Sequence, residues 1–184
     1  MSLHARGSSS SDDGVSIGAT IYNFGDNFMN GAVAPALKKY AAENHASLDL
    51  VDSENQQGKQ NDQVDIFINK GVKVLAINLV DPASASAIIN KAKAADIPLI
   101  FYNKEPTEPG VMNTYDKVWY VGTNSAESGV LQGEMIAKDW KANSAWDLNG
   151  DGKMQYVLLK GEPGHPDAEA RTIESVASIK KAGI

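Results

Sequence analysis

The chain of 184 residues carries 17 basic and 23 acidic side chains, a formal charge of −6, with 42% apolar and 22% charged residues. That is a globular composition with room for one domain or two small ones, and the acidic balance disfavours a binder of duplex nucleic acid. The absence of cysteine excludes thiol catalysis, zinc–thiolate sites and disulfides, and no run approaches the about 18 apolar residues of a membrane-spanning helix.

Residues 1–14, "MSLHARGSSSSDDG", are polar and Gly/Ser-rich with no apolar signal-peptide core, and read as a flexible leader or tag. A regular alternation follows. "VSIGATIY" (15–22) is a strand. The segment 28–44 has helical spacing through Phe28, Val33, Leu37 and Tyr40, with a kink or a helix start expected at Pro35. A strand at 47–53 precedes a helix at 55–71, which turns Val64, Phe67 and Ile68 inward and ends at Gly71. "VKVLAINLV" (72–80) is continuously apolar, as a strand buried on both faces of a parallel sheet would be. Helix 82–96, strand 97–103 and strand 118–124 complete the pattern, which predicts a doubly wound α/β fold with a parallel sheet.

After Thr123 the rhythm restarts with a helix at 125–143, a strand at 153–161 and a helix at 166–183 that opens on Pro166 and Asp167. The expected organisation is a leader (1–14), one lobe (15–122) and the incomplete start of a second, similar lobe (123–184). The strand at 153–161 needs partners for its backbone. It must join the first sheet or pair with a segment that this sequence does not contain.

Ligands of open α/β sheets bind outside the carboxyl ends of the strands. That rule selects "NFGDNF", "NKEP" and "GEPGHPDAEAR", which carry Asp26, Phe28, Asn103, His165, Asp167 and Arg171. Carboxylates, an amide, an Arg, a His and an aromatic face suit a neutral polyol, whose hydroxyls donate and accept and whose C–H face stacks on a ring. No glycine-rich phosphate loop occurs. Each residue also has a plainer role. Asp26 can cap the adjacent helix, Phe28 can be core, Asp167 can serve the helix dipole, and Arg171 can pair with Asp167 at i,i+4. His165 with Asp167 suggests a hydrolase, but no nucleophile elbow accompanies them.

"WDLNGDGKMQ" (146–155) places Asp147, Asn149, Asp151, the Lys153 carbonyl and Gln155 at the ligand spacing of a calcium loop, with Gly152 at the sharp turn. Position 12, where that pattern has Glu, is Leu158. Spacing alone leaves a calcium site and an acidic turn equally open.

"DNFM", "NDQVD", "KVLAINLVDPA", "FYNKEP", "YVGTNSAESG" and above all "LLKGEPGHPDAEART" resemble the galactose/glucose-binding members of the pentose/hexose type I substrate-binding proteins of ABC transporters. The resemblance runs from about Ile17 to Ile184. It implies two α/β lobes with sugar between them, and no bond made or broken. Asp26, Asn103, His165, Asp167 and Arg171 would hydrogen-bond a D-glucose or D-galactose, and Phe28 would stack on its ring. It implies calcium at Asp147, Asn149, Asp151, Lys153 and Gln155, with the final Glu supplied from a distant strand of the second lobe. Calcium and sugar are therefore expected to bind weakly to this chain alone, read as a C-terminally truncated form. The implied partners are a membrane permease, a chemoreceptor, and a second chain or copy completing the second lobe. The implied location is the periplasm or a lipid-anchored outer face. The competing readings are the sugar-sensing domain of a transcription regulator, which needs a helix-turn-helix that residues 1–14 do not supply, and an enzyme using His165 and Asp167.

Overall fold

The computed structural model describes residues 14–184, so the expected leader lies outside the described residues except for Gly14. Five strands, β1 (Ser16–Ile21), β2 (Ser47–Asp52), β3 (Val74–Ile77), β4 (Leu99–Tyr102) and β5 (Val118–Val121), form one sheet in the order β2-β1-β3-β4-β5. Every neighbouring pair is parallel. The strand order reverses at β1, so the crevice between the carboxyl ends of β1 and β3 is a topological switch point.

Alternation along the strands divides the sheet into two faces. Leu75, Ile77, Leu99 and Phe101 are fully buried and pack with Val64 and Phe67 of α2 (Gln57–Asn69) and Ile88 and Ile89 of α3 (Ala85–Ala94). Burial of each such side chain contributes about 1.5–3 kcal/mol. The opposite face is covered in part by α1 (Ala34–Glu43) and the turn before it, through Ile21, Met29, Ala34 and Tyr102, while Ile17, Val74 and Ile100 on the same face stay half-buried. Gly71, at φ +73°, ends α2 as its sequence predicts.

Residues 28–44 form a more particular structure than one helix. Met29–Val33 is a wide π-type turn, and the Ala34 N–H bonds to the Met29 carbonyl, five residues back. Pro35 has no N–H with which to reach Gly31, so the regular ladder cannot run through this point. The expected break at Pro35 is thus present as a change of helix type.

The predicted strand at 153–161 is not formed: these residues lie in no strand, and Val157 and Leu159 are almost fully exposed. Their apolar pattern is strand-like, but a strand exists only through a partner's N–H and C=O groups, and none of the described strands lies beside it. The described part of the second unit is instead a pair of helices, α4 (Ser125–Ala142) and α5 (Pro166–Lys181). They touch at Gly129 and Gly133. A Cβ on Gly129 would come within 2.7 Å of the Ala170 carbonyl oxygen, and one on Gly133 would strike the Ser175 backbone. At the far end, Lys141 Nζ donates to the Ala182 carbonyl at 2.6 Å.

Candidate functional site

The carboxyl ends of the strands are fixed by a buried polar network. Gln60 Nε2 donates to Thr20 Oγ1 at 3.0 Å and to the Asn78 carbonyl at 2.8 Å. Asn78 Oδ1 accepts from the Tyr22 N–H at 3.2 Å, while its Nδ2 donates to the Tyr102 carbonyl and, at 3.2 Å, to Asn103 Oδ1. Thr20, Gln60 and Asn78 are fully buried, where satisfied hydrogen bonds rigidify their surroundings. Asn103 stands just past β4 at φ +64°, a conformation Asn tolerates better than most residues. Its Oδ1 is engaged by Asn78, which leaves the Nδ2 donors for the cleft.

Asp26 does two jobs. Oδ1 accepts the Met29 N–H at 2.8 Å, which caps the turn into α1, and Oδ2 accepts the Tyr22 hydroxyl at 2.5 Å. These bonds, Tyr22 first, hold its carboxyl below the usual aspartate range. The capping role is therefore real, and each oxygen keeps acceptor capacity for a further donor. Phe28 is not core: its ring is largely exposed and lines the cleft.

His165, Asp167 and Arg171 come from the start of α5. His165 is its N-cap, with Nδ1 accepting the Asp167 N–H at 3.2 Å. An accepting Nδ1 requires the proton on Nε2, so the ring offers the cleft one N–H donor. Burial, reinforced by the Lys104 charge, pushes the His165 pKa down and keeps the ring neutral. Asp167 Oδ1 accepts the hydroxyls of Thr123 at 3.1 Å and Ser125 at 2.5 Å. The Asp167–Arg171 pair foreseen from spacing is absent among the described ion pairs, and Arg171 is exposed on the cleft wall. Nor do His165 and Asp167 form the imidazole–carboxylate pair of a hydrolase.

All six candidates line one open cavity of about 1370 Å³, which runs from the carboxyl ends of the strands and the start of α5 down the sheet face beside α1, past Ile17, Val74 and Ile100; the six lie at its strand-end part. The cleft offers neutral and cationic donors, two anionic acceptors and one aromatic face, a set that fits a neutral, hydroxyl-rich ligand. Three residues beside it went unread in the sequence. Tyr22 holds Asp26. Lys104, only 2% exposed, sits 3.7 Å from the centroid of the Tyr22 ring and 3.5 Å from Glu162. Burial lowers the Lys104 pKa and raises that of Tyr22.

The 147–155 loop folds on itself. Asp147 accepts the N–H groups of Gly150 and Gly152 at 2.9 and 2.8 Å. Asp151 accepts from the Lys153 N–H at 2.8 Å, Asn149 Nδ2 at 3.0 Å and Gln155 Nε2 at 3.0 Å. Gly152 adopts φ +70° at the turn. Two carboxylates and two amides thus meet in this turn, oxygen-bearing side chains of the type that calcium takes. Asn149 and Gln155 direct nitrogen at Asp151, and both amides must rotate to present oxygen to a cation. Among the described residues no group of three or more His, Cys, Asp or Glu side chains is arranged to hold a metal.

Comparison with known proteins matches residues 17–183 to a family described as a periplasmic binding protein domain. A D-galactose/methyl-galactoside binding periplasmic protein of Haemophilus influenzae is 53% identical over 91% of this chain and 50% of its own length. A putative rhizopine-binding protein of Rhizobium meliloti is 29% identical over 85% of this chain and 47% of its own. The chain thus spans about half the length of the curated relatives it matches. An ABC transporter solute-binding protein of Bacillus halodurans, solved with bound myo-inositol, superposes with a TM-score of 0.72 at 30% identity, covering 94% of this chain and 55% of that one.

Proposed function

The chain belongs to the periplasmic binding protein domain family, and we propose that it supplies one side of a hexose cleft for D-galactose or D-glucose, captured outside the cytoplasm and delivered to a membrane ABC permease. The observation that carries this reading is the set of six side chains on one cleft. Asp26 and Asp167 accept from sugar hydroxyls, Asn103, His165 Nε2 and Arg171 donate to them, and Phe28 stacks on the C–H face. The 53% identity to a galactose-binding protein supports the choice of hexose over other polyols. Binding and release suffice for this role, and no bond is made or broken. Handover to a chemoreceptor would use the same sugar-bound state.

Affinity in such clefts depends on enclosing most of the ligand, and here Phe28 covers one ring face. Titration of the isotopically labelled chain with D-galactose, D-glucose and a non-sugar polyol should move the backbone signals of 26–28, 103 and 165–171 at millimolar hexose only. A folded chain whose signals stay fixed at saturating hexose overturns the reading.

Calcium belongs to the same proposal. When bound it would supply a fixed positive charge that draws Asp147, Asn149, Asp151, the Lys153 carbonyl and Gln155 together. Weak binding is expected, because two carboxylates give little of the negative charge that tightens such loops. Trp146, exposed beside the loop, reports it by fluorescence: a millimolar response lost in Asp151→Asn is expected. Calcium retained through dialysis against a chelator would contradict the expected weakness.

A further inference from the structure

A binding cleft for a neutral ligand has no evident need of a buried ammonium, yet Lys104 is only 2% exposed. It is not among the residues that line the cleft, and neither is Tyr22. Its Nζ faces the Tyr22 ring at 3.7 Å on one side and Glu162 at 3.5 Å on the other. Glu162 lies 58 residues further along the chain, in the loop that leads into α5. Desolvating an ammonium is costly unless a partner compensates. The ring face and the carboxylate are the compensation, and they come from the two opposite sides of the cleft.

We propose that Lys104 is a positioning residue that seats the 161–165 loop, and with it the His165 and Asp167 end of α5, against the Tyr22–Asp26 pair. The connectivity is short. Lys104 follows Asn103 directly, so the turn that presents the Asn103 amide also presents the ammonium. Tyr22 receives the ammonium on its ring and gives its hydroxyl to Asp26. Glu162 precedes the His165 cap by three residues, and the His165 N–H bonds to the Glu162 carbonyl at 3.1 Å. One cation thereby reaches Asn103, Asp26 and His165 without touching the ligand. The lowered Lys104 pKa agrees with an ammonium drawn out of water to perform this task.

The sugar arm of the test rests on the hexose reading above, and the structural arm does not. Lys104→Met, Glu162→Gln and the double variant of the whole chain are compared with the parent. The readouts are the sugar-free backbone signals of 164–167, the Tyr22 ring signals, thermal unfolding and the Kd for D-galactose. Each single variant should shift the 164–167 and Tyr22 signals without sugar and raise Kd about tenfold, equivalent to ~1.4 kcal/mol. The double variant should be no worse than Lys104→Met, the mark of a coupled pair. Additive effects, unmoved 164–167 signals or an unchanged Kd overturn the proposal. If Lys104→Met does not fold, Glu162→Gln, whose side chain is 44% exposed, decides by the same signals. A parent chain that folds but takes no hexose overturns the functional reading, and Lys104 is then judged on the sugar-free signals and the unfolding cycle.

Discussion

The Tyr22 hydroxyl donates to Asp26 Oδ2 at 2.5 Å, four residues along the chain. A ring at the end of β1 thus fixes a carboxylate at the mouth of the cleft, while the Met29 N–H fixes the other oxygen. Removing the hydroxyl in Tyr22→Phe keeps the ring beneath Lys104 and frees one side of Asp26. Kd for hexose should rise about 3- to 10-fold, on the order of 1 kcal/mol, because Asp26 is partly exposed and water replaces some of what is lost. The Asp26 pKa should move up toward the ordinary value. Since it is depressed in the folded chain, the stability it confers is complete above the unfolded carboxylate pKa of about 3.9 and is lost as pH falls through the native value. Asp26→Asn should therefore flatten the acid limb of the stability curve, which chemical unfolding at stepped pH will show.

His165 gives a pH dependence of opposite chemistry but the same direction. Its folded pKa lies below the ordinary histidine value because burial penalises the imidazolium. No penalty exists above about pH 6.5, where the ring is neutral in both folded and unfolded chains. Stability falls as pH drops from there through the depressed native pKa, because the unfolded chain binds the proton first. Protonation also removes the Nδ1 acceptor that caps α5. Hexose affinity should decline over that window, and His165→Gln should lose the decline. A parent chain whose Kd is flat across it contradicts the assignment.

The strands and helices of 15–143 were legible because burial imposes a local period, as in "VKVLAINLV" and its alternating neighbours. The six cleft residues were legible because they sit in loops at strand ends and in motifs that resemble a sugar-binding family. Tyr22 and Lys104 were not. A tyrosine at the end of a strand and a lysine in "NKEP" are ordinary surface residues until Glu162, far along the chain, closes over them. The strand at 153–161 failed for the same reason in reverse. Its local pattern is right, but pairing is a property of two segments, and none of the described strands lies beside it.

The crossing of α4 and α5 depends on Gly129 and Gly133, where backbone meets backbone. Gly133→Leu should destabilise the helix pair by about 1–3 kcal/mol or more, as overpacking does. Amide exchange should speed up in 166–181 and barely change in the sheet. Gly58→Ala in α2 is the control. Its added Cβ would meet nothing within 4 Å, so it should be neutral or stabilise by about 0.4–1 kcal/mol. A gain in stability at Gly133 as well as at Gly58 would mean that helix propensity rather than close approach governs these glycines.

The segment 156–159 has the opposite problem, apolar surface without a partner. Val157 is 87% and Leu159 91% exposed, against 37% for Leu158 between them, and both leucines border the cleft. That alternation is the pattern of a half-buried strand, and unpaired β-prone residues of this kind template pairing between molecules. Val157→Glu with Leu159→Glu changes the two most exposed side chains of the segment and makes the net charge more negative, which favours solubility. Little of either side chain is buried, so the stability should stay within about 0.5 kcal/mol of the parent. The soluble concentration should rise, and light scattering on mild warming should fall. A clear loss of stability would show that this face is packed in solution, and unchanged aggregation would place the sticky surface elsewhere, on the apolar wall of the cleft.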